Sequence, residues 1–91
     1  MTDSKTPLVV VQADPLSSLN FNTDTTLNLS QEAQRRGAKL FAYTPESLSY
    51  QQGNLLARGQ FFRFTSFNYL EIEEPIKLNL EEADIVLIRQ D

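Results

Sequence analysis

The chain contains no cysteine and no histidine. Those two absences remove disulfides, thiol nucleophiles, imidazole bases and the usual zinc ligands together. No apolar run reaches the ~20 residues that a membrane span requires, and the opening Met1-Thr2-Asp3-Ser4-Lys5 lacks the basic-then-apolar order of a signal peptide. Basic residues are also few, eight against twelve acids for a net charge of −4, whereas phosphate binding needs a clustered basic face. There is no repeat and no low-complexity tract. These absences predict a soluble, cytoplasmic protein with neither nucleic acid nor membrane as a partner.

What is present suits one small globular unit. Ninety-one residues is the length of a single domain, and a hydrophobic fraction of 41% with nine aromatic rings, six Phe and three Tyr, can fill a modest core. The acids gather toward the end, with Glu71, Glu73, Glu74, Glu81, Glu82, Asp84 and Asp91 opposed there only by Lys77 and Arg89. Such a run reads first as a solvated surface.

Leu8-Val9-Val10-Val11-Gln12 is short, apolar and rich in β-branched residues, and it is closed by Asp14-Pro15. It reads as a strand buried on both faces, which Pro15 cannot continue. A helix is predicted from an N-cap at Thr23 or Asp24 through Leu27, Leu29, Ala33 and Arg36, with Gly37 taking the left-handed turn at its end. Arg35-Arg36 then complements the helix dipole. A second strand follows at Lys39-Leu40-Phe41-Ala42-Tyr43, so the first forty or so residues form a βαβ unit with a right-handed crossover.

Thr44-Pro45-Glu46 has a capping hydroxyl before a proline at the first helical position, and predicts a short helical turn through Leu48. Beyond Tyr50, Gly53-Asn54 and Gly59 punctuate a small antiparallel hairpin or meander around Phe61, Phe62 and Phe64, and Tyr69 to Ile72 adds an edge strand ending at Pro75. Ile85-Val86-Leu87-Ile88 is a second fully apolar strand, expected to lie parallel to the first, with the first in the middle of three. Only one long helix is visible to cover the two faces of that sheet, so the domain is expected to need further chain.

In parallel sheets, ligands collect beyond the carboxyl ends of the strands. Asp14, Pro15, Asn20, Thr25, Thr26, Arg89 and Asp91 all fall at that edge. For Asp14 the plain alternative is a turn former, and for Asp24 a helix cap. Arg89 either ends its strand in a salt bridge to Asp14 or Asp91, or holds a ligand carboxylate through paired N–H donors. The helix start near Asp24-Thr25-Thr26 offers free N–H groups to an anion, although Asp24 would compete with it. Neither a Gly-x-Gly-x-x-Gly turn nor a P-loop lysine is present.

Read in order, these segments resemble the amino-terminal domain of prokaryotic glutathione synthetase. The resemblance is carried by Asp14-Pro15-Leu16 with Asn20, Asp24-Thr25-Thr26, Glu32-Ala33-Gln34-Arg35-Arg36-Gly37, Tyr43-Thr44-Pro45 with Leu48, and Asp84-Ile85-Val86-Leu87-Ile88-Arg89-Gln90-Asp91. Residues 52–77 are only loosely similar. The resemblance implies an α/β, Rossmann-like domain that precedes an ATP-grasp module, with a parallel central sheet and a small antiparallel insertion. It implies a ligase that joins γ-glutamylcysteine to glycine through an acyl phosphate, using ATP and Mg²⁺ held by the ATP-grasp module, with homo-oligomers of the complete enzyme. Residues 1–91 would then be a single-domain fragment, with no catalytic, cofactor or metal residues of its own. Its partner would be the remainder of the synthetase chain. Asp14, Asn20, Thr25 and Arg89 would wall the γ-glutamylcysteine side. The competing expectation is a freestanding Rossmann-like binding or interaction module without ligase activity.

Overall fold

The computed structural model describes residues 6–12, 25–65 and 70–88. Along the chain they form β1 (Leu8–Gln12), α1 (Thr25–Arg35), β2 (Lys39–Gln51), β3 (Asn54–Phe64), β4 (Leu70–Ile72), β5 (Ile76–Asn79), a 3-10 turn (Leu80–Glu82) and β6 (Ile85–Ile88). The fold is α/β, with one mixed six-stranded sheet in the order β4-β3-β2-β1-β6 and β5 paired to β3. β1 lies between β2 and β6 and is parallel to both, as the three apolar runs lead one to expect. The other pairings are antiparallel. The antiparallel strands are thus no separate insertion, because they extend the same sheet.

β1 behaves as its composition dictates: Val9, Val10 and Val11 are 0–2% exposed. Val9 and Val11 point to the α1 face with Leu40, Ala42, Phe62 and Phe64, and Ala33 and Leu87 pack against that cluster. Val10 points the other way, with Phe41, Tyr43, Ala57 and Leu78. That face has no helix among the described residues. It is covered instead by Leu48 from the far half of β2, Leu80 from the 3-10 turn, and Ala83. Phe41 and Phe61 meet edge to face there, with ring centroids 5.1 Å apart.

α1 approaches the sheet through small residues, the fully buried Ser30 and the half-buried Ala33. Leu29 faces away, 53% exposed. The helix closes as expected at Gly37, whose φ of 97° is the left-handed conformation that glycine adopts without cost. Gly37 N–H donates to Gln34 C=O and Ala38 N–H to Ala33 C=O, which is a Schellman ending. This has a consequence for the sheet. Leu40 pairs with Phe62, so Ala38 would stand opposite Phe64, but its N–H is already engaged by the helix. The Gln34 carboxamide fills the place: its Nε2 donates to Phe64 C=O at 2.8 Å and its Oε1 accepts from Phe64 N–H at 2.7 Å.

Two expectations are corrected. Thr44-Pro45-Glu46 does not start a helical turn, because β2 runs through it and resumes pairing with β3 at Leu48↔Ala57. The register shifts between Tyr43 and Leu48, an irregularity that accommodates a proline unable to donate to a ladder. Ser47 Oγ donates to Thr44 C=O across this irregularity. Gly59 is likewise no break in the strand. It sits inside β3 opposite Tyr43, where a Cβ would collide with the Ala42 carbonyl oxygen. The hairpin itself turns at Gln52-Gly53, with φ of 52° and 83°, the left-handed pair of a two-residue loop.

β5 and the 3-10 turn had no counterpart in the sequence reading. β4 and β5 lie end to end along β3. Between Phe62↔Ile72 and Gly59↔Ile76, residues 73–75 oppose only residues 60 and 61, so Pro75 sits in a bulge. β6 differs from β1 despite an equally apolar sequence: Ile85, Val86 and Ile88 are 53%, 44% and 55% exposed. Among the described residues nothing pairs with its outer edge.

Candidate functional site at the carboxyl edge

The two parallel ladders of β1 end level with one another, because Gln12 pairs with Tyr43 on one side and with Ile88 on the other, while β2 itself continues to Gln51. The connection from β1 to α1 and the segment after β6 leave from this edge. Of the four residues expected to wall a ligand here, Asp14, Asn20 and Arg89 lie outside the described residues. Thr25 is the first residue of α1, and its side chain also lies outside them. α1 returns the chain to the amino end of β2, where Lys39 N–H donates to Pro7 C=O, so Thr25 begins the helix on the carboxyl side. The expected N-caps, Thr23 and Asp24, also fall outside the described residues.

The edge carries one polar contact that the sequence reading did not single out. Tyr43 Oη donates to Gln12 Oε1 at 2.9 Å, linking the last pair of the β1–β2 ladder. Tyr43 is buried, and burial pushes its phenol above the ordinary 10.0, so it stays a proton donor. The available signal was positional: each is the last residue of its parallel ladder, and Gln12 is the first polar residue after Val9-Val10-Val11.

A cavity of about 360 Å³ lies at the opposite, amino end of β2. Gln34, Ala38, Lys39, Phe61, Arg63 and Glu73 contribute to its lining. Lys39 Nζ stands 5.9 Å from the Phe61 ring centroid, and Arg63 Nε is paired to Glu71 at 2.7 Å. Its lining groups belong to the elements that close the amino end of the sheet. Among the described residues no three metal-ligating side chains gather, and no helix is long and apolar enough to cross a membrane.

These features define a mixed α/β domain whose parallel ladders end together at one carboxyl edge, the usual ligand side of such sheets. The chain belongs to the family described as the N-terminal domain of prokaryotic glutathione synthetase, which matches residues 8–91. Curated relatives agree over most of the chain. It is 42% identical to a glutathione synthetase of Brucella melitensis over 85 residues, covering 91% of the chain and 27% of that protein. The glutathione synthetase of Mesorhizobium japonicum is 40% identical over the same coverage. That of Pseudomonas aeruginosa is 33% identical over 82 residues, 86% of the chain and 25% of the relative. The chain therefore spans about a quarter of the length of these relatives.

Proposed function

We propose that this chain is the peptide-substrate-side domain of a glutathione synthetase, a Rossmann-like unit that precedes an ATP-grasp module and is not catalytic alone. The observation that carries the reading is the family match across residues 8–91, together with coverage of only 27% of relatives that are themselves glutathione synthetases. On this reading residues 1–91 form one domain, and its partner is the remainder of a synthetase chain. The complete enzyme, cytoplasmic and homo-oligomeric, ligates γ-glutamylcysteine to glycine with ATP hydrolysis.

ATP and Mg²⁺ belong to the ATP-grasp module. The sequence has no P-loop lysine and no Gly-x-Gly-x-x-Gly turn. Bound there, ATP would supply the phosphoryl group that activates the dipeptide carboxylate, with ADP leaving, and the glycine amine would then displace phosphate. This domain's part is to bind and orient the dipeptide. Arg89 presents paired N–H donors suited to a carboxylate, the free N–H groups that begin α1 suit a second anion, and Asp14 and Asn20 complete the wall.

Two preparations test this. The chain alone, given γ-glutamylcysteine, glycine and MgATP, is expected to form no glutathione. Residues 1–91 joined to the remainder of the Brucella melitensis relative are expected to form it. Turnover by the chain alone, or a folded fusion that binds ATP and makes no glutathione, would overturn the proposal.

A further inference from the structure

We propose that Gln12 is a ligand-binding residue at the carboxyl edge and that Tyr43 is its positioning residue, a role that rests on the peptide-side reading above. The geometry supplies the argument. A glutamine carboxamide is planar, with its acceptor oxygen and its two N–H donors on opposite sides. Tyr43 Oη donates to Oε1, so that oxygen is held toward β2 and the Nε2 donors turn away from it. Among the described residues nothing accepts from Nε2, and no buried side-chain nitrogen or oxygen there lacks a partner. Nε2 is therefore accessible at the end of β1, where Gln12 pairs with Ile88.

Tyr43 suits the positioning task because burial on its sheet face fixes the ring and keeps the phenol protonated. The close approach of Gly59 to Ala42 braces the strand immediately before it. The result is a neutral, oriented donor pair beside the positions of Asp14 and Arg89 in the chain. Such a pair fits an oxygen of a peptide, either a carboxylate or an amide carbonyl. It adds orientation without adding charge, whereas Arg89 supplies the charge. γ-Glutamylcysteine contains both kinds of oxygen.

The experiment titrates the ¹⁵N-labelled 91-residue chain with γ-glutamylcysteine and follows the Gln12 side-chain NH₂ resonances together with the backbone amides. The expected result is a saturable shift of those resonances. Tyr43→Phe, which frees the carboxamide to rotate, should weaken binding about three- to tenfold, the effect of losing one neutral hydrogen bond. Gln12→Met keeps the length and removes the donors, and should weaken binding at least as much. Unchanged Val10 and Phe41 amides would show that the core is intact, and Gln12→Met carries the test if Tyr43→Phe does not fold. Shifts near Asp14, Asn20, Thr25 and Arg89 with a silent Gln12 NH₂ would overturn this inference and leave the peptide-side reading standing. No saturable shift anywhere would overturn both.

Discussion

Among the described residues, the two ends of the parallel sheet carry different polar contacts. At the amino end the backbone is tied down at every strand: Lys39 N–H donates to Pro7 C=O, Asp84 N–H to Leu8 C=O, and Leu8 N–H in turn to the Asp84 carboxylate at 2.7 Å. Gln34 adds the two bonds to Phe64, and the Schellman ending of α1 completes the closure. At the carboxyl end the described strands share one side-chain bond, from Tyr43 to Gln12. The lesson is a division of labour within one sheet. Among the described residues, polar groups at the amino end satisfy the fold, and the carboxyl end is where the proposed ligand contacts lie.

The sharpest way to break this arrangement is Gly59→Ala. The added methyl would meet the Ala42 carbonyl oxygen, a backbone atom that no side-chain rotation can move aside, and Phe41 as well. A loss of about 3 kcal/mol or more is expected in urea unfolding, at the upper end of overpacking costs. Because the first obstacle is backbone, shortening Phe41 should not rescue it.

Gln34→Leu acts at the other end. It leaves the N–H and C=O of Phe64 without the bonds that Gln34 provides, and about 1–3 kcal/mol of stability should be lost by the same measurement. If the two ends are separable in function, γ-glutamylcysteine binding by the folded fraction should not change.

A smaller effect follows from Tyr43. Its folded pKa lies above the unfolded 10.0, so the folded state holds its proton where the unfolded chain has released it. The contribution is fully present below pH 10.0 and is lost as pH rises toward the folded value. Stability measured against pH should decline in that window, and Tyr43→Phe should flatten the part of the decline that Tyr43 causes.

Much of the amino end was legible in the sequence. The β-branched run of β1, the helix and its Gly37 ending, and the start of β2 are local signals that tertiary packing reinforces. Thr44-Pro45-Glu46 misled because a good helix start is only a local preference, and pairing of Leu48 to Gln51 with β3 outweighs it. Gly59 misled in the opposite sense, since close approach of a neighbouring strand calls for glycine as surely as a turn does. β6 was legible as a strand, but its exposure was not, because an apolar sequence says nothing about which neighbours are present. The expected site residues Asp14, Asn20 and Arg89 lie outside the described residues. Gln12 and Tyr43 were missed because neither residue type signals chemistry until the register places them side by side.

The central claim is that ligand binding belongs to the carboxyl end and not to the amino-end cavity. Steady-state kinetics of the fusion with the Brucella melitensis remainder test it most directly, comparing Arg89→Lys with Lys39→Met. Lysine offers a point charge in place of paired donors, so Arg89→Lys should raise KM for γ-glutamylcysteine and leave that for ATP unchanged. Lys39→Met, in the cavity lining, should change neither constant. An unchanged dipeptide KM in Arg89→Lys, or a raised one in Lys39→Met, would contradict the account.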